Sequence, residues 1–409
     1  MVVSSEEGTD KIRKVVGFGY WVQGFRCFPW MAVNFFLKDG LRVDSSTLQL
    51  LQNSANLPMV AKPLYGVVSD AVYIRGQHRM PYIAFGAFLQ AVSWLAIAML
   101  SESEAGKQSK SSKNSQPSSS GELQSFFWMA SAMGGVLGFL LAGLSIDRFS
   151  PQKMFLFYGL LLTVQFFLSI FVQESSLDLP KRTANVGIQE KFTELLVALR
   201  EPEIAYSITW FAASYAIIPA LTGTMFFYQT QYLNIDSSVL GISKVFGQVA
   251  MLLWSVIYNR HLKSVTPRKL ISAIQVTMAV FMVSDVLFVN RIYRNYMGVP
   301  DNFYVVMFSG LSEVLFFIKI LPFSILIAKL CPRGCEGSLM AFVMSAIAVA
   351  FIVSGYFGVV LASYVGVTGN DFSGFPRALL IQALLTLLPL YWSSCIPDDV
   401  KSKTSRKKK

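Results

Sequence analysis

The chain has 409 residues, of which 53% are hydrophobic and only 14% charged, and its mean hydropathy is +0.49. A soluble protein of this size has no interior large enough to hide so much apolar surface, so the composition specifies an all-α polytopic membrane protein. The net charge of +11 falls in short loops and at the C-terminus. Membrane topology and anionic lipid headgroups account for it there, without nucleic acid as a partner.

Residues 1–14 are polar, with Glu6, Glu7 and Asp10 ahead of Lys11, Arg13 and Lys14. They lack the Arg- and Ser-rich, acid-poor character of an organelle transit peptide and read as a cytoplasmic N-terminus. The first apolar span covers residues 15–37 and contains Gln23, Arg26 and Pro29; the second and third cover 46–69 and 81–100. Between the second and third lies a charged hairpin with Asp70, Arg75, His78 and Arg79, set between Gly66 and Pro81. A turn this charged between two membrane-length helices belongs at the aqueous interface. Residues 101–124 are rich in Ser, Lys and Gln and read as a disordered polar loop. Two further spans, 125–146 and 154–172, complete an N-terminal half over 15–173.

Residues 174–203, with an amphipathic piece at 188–200, read as a central cytoplasmic linker. Six apolar spans follow at 204–229, 239–258, 270–290, 303–328, 339–363 and 378–395, forming a C-terminal half over 204–395. The tail 396–409 is strongly basic and is expected in the cytoplasm or its organellar equivalent. An internal echo relates the halves: Val67-Val-Ser-Asp70 with Arg79 reappears as Ser255-Val-Ile-Tyr-Asn259 with Arg268. Duplicated halves leave such equivalent loops.

The positive-inside rule exposes a conflict. Counted back from the tail, loops alternate correctly and place 101–124 inside; counted forward from Lys11 and Arg13, the same segment falls outside. Roughly eleven spans of about twenty residues cannot satisfy both counts. A span is missing near 100–124, or one end of the chain is inverted.

No chemistry of an enzyme is expected. His78 and His261 have no nucleophile or metal partner at useful spacing, and no phosphate-binding Gly-Lys loop is present. Cys331 and Cys335 are spaced C-x-x-x-C without a nearby His, so neither a metal site nor a cofactor is expected.

The spacing from Gly66 through Asp70 and Gly76 to Arg79 resembles the signature loop between the second and third helices of major facilitator transporters. More specifically, the chain resembles the folate–biopterin transporter family of that superfamily, in its plant and cyanobacterial form. The matching stretches are Tyr20-Trp-Val-Gln-Gly24, Phe35-Phe-Leu-Lys-Asp39, Lys62-Pro-Leu-Tyr-Gly66 through Asp70, Arg79-Met-Pro-Tyr82, Met225-Phe-Phe-Tyr228 and Lys329-Leu-Cys-Pro-Arg-Gly-Cys-Glu336. The resemblance implies a major facilitator fold of two six-helix halves. It also implies that the family's fourth span is deleted, because Leu100 runs almost directly into Ser101–Lys107. What it implies about function is a secondary carrier of folates or pterins working by alternating access, with a proton as coupling ion. The membrane is undetermined, the plastid envelope being one possibility.

Strongly polar residues inside spans are expensive, which makes them functional candidates. Arg26, Lys62 and Lys319 could pair with the carboxylates of a folate. Asp285 and Glu313 could accept from a pterin's amino-pyrimidine edge, with Gln23 nearby and Tyr228 or Trp30 stacking on the ring. The alternative is that these charges pair with one another or snorkel. Asp70, Arg75, Arg79 and Glu336 are the gating candidates: Asp70 can latch onto the positive N-terminus of another helix. A carrier of another solute such as a sugar, and a non-transporting truncated variant, remain as alternatives.

Overall fold

Inside a bilayer every backbone N–H and C=O must be satisfied within the protein, which leaves helices as the building unit for so apolar a chain. The structure, a computed structural model, describes residues 14, 16–72, 74, 80–103, 121–146, 148–171, 188–262, 265–331, 336–369 and 371–397. Helix α1 covers residues 16–40 and ends in a π-helical turn, Phe36–Gly40. α2 comes in three pieces, Ser45–Ser54, Leu57–Val60 and Lys62–Ala71. α3 (Met80–Ser103), α4 (Gly121–Ser145) and α5 (Pro151–Phe171) complete the first half. The linker helix α6 (Ile188–Arg200) leads to the second half.

There, α7 comprises Pro202–Ala216, Thr222–Phe227 and the π-helical Tyr228–Tyr232. α8 is Ser237–Ile257 with a π-helical end, and α9 is Pro267–Val289. A short helix, Ile292–Met297, precedes α10 (Asp301–Leu330), α11 (Glu336–Tyr364) and α12 (Phe375–Leu387). Seven of these (α3, α5 and α8 to α12) are long and apolar enough to cross a membrane. The protein is an integral, multi-pass membrane protein.

Proline sets the breaks. Pro58 and Pro63 divide α2 where the sequence predicts one unbroken span, Pro219 divides α7, and Pro322 follows the Lys319 turn in α10. Each interruption frees carbonyls, which neighbouring helices then satisfy. The indole N–H of Trp254 donates to Ile318 O at 3.2 Å, the carbonyl that Pro322 has no N–H to reach. Ser345 Oγ donates to Val60 O at 2.7 Å, and the Tyr215 hydroxyl donates to Phe316 O.

The two halves repeat one backbone device. Phe36–Gly40 and Tyr228–Tyr232 are both π-helical, Arg42 and Asn234 follow with φ of 51° and 52°, and Asp44 and Asp236 are the N-caps of the next helices. Leu41 N–H to Phe36 O in one copy and Leu233 N–H to Tyr228 O in the other are both 3.0 Å.

Close contacts fix helix directions. α5 is antiparallel to α1, with Gln165 beside Gly19 and Phe155 against Phe36, and antiparallel to α3, with Phe166 against Phe88 and Phe155 against Trp94. α4 is parallel to α1, packing Gly134 on Trp21 and Gly138 on Phe25. It is antiparallel to α8, where Gly143 meets Gly241 and Gly135 meets Gln248. α3 therefore finishes at the end where α1 finishes, and α4 begins at the end where α1 begins. We call the latter the basic end, since Arg260, His261, Arg268 and Lys269 lie there, and the other the far end.

Both counts of the loop charges thus hold, each on its own side of residues 104–120. In the second half α10 packs between α8 and α9; the first half holds no counterpart of it among the described residues, five spans standing against six. In the sequence, residues 104–120 between α3 and α4 carry Glu104, Lys107, Lys110 and Lys113 and no apolar run.

Candidate functional site

The first half presents a cationic centre. Gly24 on α1 lies so close to α4 that a Cβ would fall 1.7 Å from Ser131 O, and this contact fixes the α1 polar stretch against α4. On that stretch Gln23 turns toward α3 and donates to Gln90 Oε1 at 3.1 Å. Arg26 is exposed at the junction of the two pieces of α1. Lys62, only 5% exposed, opens the last piece of α2 and feels the charge of Arg26 as its charged neighbour. Lys244 on α8 is within electrostatic reach of Cys27, the residue after Arg26. Among the described residues no carboxylate pairs with Arg26 or Lys62. Two neighbouring cations with no counter-charge among the described residues are costly to keep in a membrane protein, and a bound anion relieves that cost.

The halves are locked together at the far end by a residue that the sequence analysis passed over. Gln49 on α2, 2% exposed, uses its whole amide across the interface. Its Nε2 donates to Ala220 O at 2.6 Å and to Gly355 O at 2.8 Å, while its Oε1 accepts from Gly223 N–H at 3.1 Å. Phe35 of α1 packs edge-on against Phe226 of α7 beside it, centroids 5.4 Å apart. In the sequence Gln49 is one of several polar residues between Ser45 and Ser54, and nothing there sets it apart.

The other site candidates of the second half lie apart from this cationic centre. Lys319 is fully buried, and its Nζ donates to Ser214 Oγ and Gln275 Oε1, both at 2.9 Å, with the Tyr215 ring 3.8 Å away. Gln275 in turn donates to Thr386 O, so Lys319 ties α10 to α7, α9 and α12. Asp285 on α9 is 7% exposed and accepts from the Tyr304 hydroxyl at 3.1 Å and, at 3.5 Å, from Ser312. Tyr228 is buried, stacked on Tyr232 and enclosed by Phe288, Phe372 and Phe375, so neither face of its ring is open in this state.

Arg75 and Arg79 lie outside the described residues, as do the side chains of Asp70, Glu313 and Glu336. The backbones that carry two of them do meet: at the basic end Gly66 of α2 packs on Ser338 and Ala341 of α11, one turn from Asp70 and from Glu336.

The model of the BT1 family matches in two pieces, residues 23–112 and 105–409, which meet in the segment between α3 and α4. The chain is 55% identical to "Probable folate-biopterin transporter 7" of Arabidopsis thaliana, over 99% of this chain and 97% of that protein. A "Folate-biopterin transporter" of Synechocystis sp. is 27% identical over 95% of this chain and 82% of its own. Among solved structures a D-xylose–proton symporter superposes with a TM-score of 0.63 at 15% identity, covering 95% of this chain and 98% of that one. The fold is the major facilitator fold, and the chain belongs to the BT1 family, that of the folate–biopterin transporters.

Proposed function

We propose that the protein is a secondary carrier of folates or pterins that works by alternating access of its two halves and is driven by protons. The observation that carries the substrate class is the pair Arg26 and Lys62, which has no carboxylate partner among the described residues. A folate brings carboxylates that such a pair can hold, Arg26 through its two-pronged guanidinium and Lys62 as a point charge. A neutral sugar would leave both cations unpaired, so an anionic solute is favoured over one. The names of the relatives point the same way. Gln23 borders the pair, while Tyr228, Glu313 and Lys319 stay proposed contacts for a pterin ring in another state of the carrier. At the basic end, the packing of α2 on the N-terminus of α11 supports a latch made by Asp70 and Glu336 with Arg75 and Arg79.

The test is uptake of tritiated folic acid and of biopterin by cells lacking their own transporter. Uptake by the chain, lost in Arg26→Ala and in Lys62→Met with protein still at the surface, supports the reading. Uptake unchanged by both substitutions refutes the substrate site.

A second reading rests on the polar connection between α3 and α4. A single Lys or Glu held at the bilayer centre costs about 2.5–3.5 kcal/mol on insertion scales, and residues 104–120 carry four charges. On this reading the chain is a non-transporting variant. Uptake seen only after an apolar span is inserted between residues 103 and 121 would establish it.

A further inference from the structure

Deep in the second half, four hydroxyl and carboxyl groups form one continuous chain that ends on a buried acid. Tyr293, in the short helix at the far end, has its hydroxyl 3.1 Å from Ser284 Oγ. Ser284 Oγ lies 2.8 Å from the Tyr304 hydroxyl, which donates to Asp285 Oδ1 at 3.1 Å. Tyr293 is half-buried, whereas Tyr304 is 2% and Asp285 7% exposed, so the chain leads from the rim inward. Each hydroxyl can both donate and accept, which is what passing a proton requires. Tyr304 is clamped for that purpose: its ring stacks on Phe288 with centroids 4.1 Å apart and on Phe308 at 5.1 Å.

Among the described side chains, the charges on the surrounding elements are spoken for or distant; Glu313 on α10, next to Ser312, lies outside them. Arg291 and Arg294 both bind Asp301 Oδ2 at 2.7 Å. Lys319, farther along α10, is held by Ser214 and Gln275, and Arg377 stands near the far-end start of α12. Lys244 on α8 is within electrostatic reach of Cys27 in the first half's centre. Among the described side chains, Asp285 has only hydroxyl partners. A carboxyl in that position within a membrane span is better kept as the neutral acid than as a bare anion.

We propose that Asp285 is the proton-binding group of the carrier, loaded from the far end through Tyr293, Ser284 and Tyr304. A proton arriving from water binds the Tyr293 oxygen as that hydroxyl releases its own to Ser284; the exchange repeats through Tyr304. It ends with the Asp285 carboxylate converted to a carboxylic acid, each hydroxyl regaining one proton for the one it gives. The backbone between the acid's two partners supplies the motion that release needs. Val305–Ser309 is a π-helical turn lying between Tyr304 and Ser312, and such turns are mechanically weak points within helices. This proposal rests on the carrier reading above, which it deepens by naming the coupling site.

Purified full-length protein in proteoliposomes separates the two. Tritiated folic acid is followed in counterflow exchange, without a pH gradient, and in accumulation driven by an imposed gradient. Asp285→Asn is expected to keep counterflow and lose gradient-driven accumulation to the level of empty liposomes. Tyr304→Phe, which keeps the stacked ring, is expected to slow the driven mode alone. Retention of both modes in Asp285→Asn, or equal loss of both in Tyr304→Phe, would overturn the proposal. If the wild type moves no folic acid, the substrate reading falls, and the relay is judged by infrared spectroscopy of the carboxyl stretch. A titrating protonated-carboxyl band that Asp285→Asn removes supports it; no such band at any pH overturns it.

Discussion

Replacing Gln49 by Met keeps the length and volume of the side chain but removes all three bonds that join α2 to α7 and α11. Each such bond contributes about 0.5–1.5 kcal/mol net, and stranding its buried partners raises the loss, so about 3 kcal/mol is expected in all. That loss falls only on the state in which the far end is closed, because the groups on either side of the interface regain water when it opens. A change of about 3 kcal/mol moves the equilibrium between closed and open far ends by roughly a hundredfold toward open. The assay is labelling of a single cysteine at the adjoining contact, Phe226→Cys, by a membrane-impermeant maleimide. It is done in a background with Cys27, Cys331, Cys335 and Cys395 replaced. Gln49→Met is expected to speed labelling strongly while the thermal unfolding transition stays cooperative. Labelling at the parental rate in a folded Gln49→Met protein would refute the view that this amide holds the far end shut.

Gly24→Ala places a Cβ within 1.7 Å of Ser131 O, so α1 and α4 must separate; a stability loss of about 1–3 kcal/mol is expected in thermal melts of the purified protein. Lys319→Met leaves Gln275 Oε1 without its donor in the core of the second half, while Ser214 keeps its bond to Phe211 O, and is expected to cost about 1–3 kcal/mol. A fall in melting temperature with unchanged folic acid KM would mark Lys319 as a tie between helices. Asp44 caps α2 by accepting from Ser46 and Thr47 N–H at 3.1 Å and from the Thr47 hydroxyl. The Thr47 hydroxyl bond is the first cause that holds its carboxyl below the ordinary value of 3.8. A group depressed in the folded state stabilises above its unfolded pKa and loses that contribution as pH falls through the folded one. Asp44→Ala is therefore expected to lose about 0.5–2 kcal/mol at neutral pH, with the difference from wild type vanishing only in strong acid.

Much of this molecule was legible in its sequence. Hydropathy gave the spans because the bilayer demands continuous apolar helices, and the linker helix at 188–200 stands where its amphipathic pattern put it. Loop charges located the missing span because topology obeys a parity that a single deletion breaks. One further signal lay in plain sight and was missed. Leu41-Arg-Val-Asp-Ser-Ser46 and Leu233-Asn-Ile-Asp-Ser-Ser238 are the same helix-end device, more alike than the 67–79 and 255–268 echo that was noticed.

The partners of the polar side chains were another matter. Arg26, Lys62, Asp285 and Lys319 look alike to a rule that prices a polar group in a membrane, since each is one such residue in an apolar run. Only the tertiary structure divided them: Lys319 is satisfied by groups on two other helices, Asp285 meets a line of hydroxyls, and Arg26 and Lys62 have no acid beside them among the described residues. Gln49 was invisible because it is one polar residue among several at the start of α2. Hydropathy is a property of one segment read along the chain, whereas the worth of a buried hydrogen bond is set by groups hundreds of residues away, such as Gly355. The sequence by itself determined that helices cross a membrane, how they alternate and where one is lacking; which of their polar groups are at rest and which still want a partner was decided by packing.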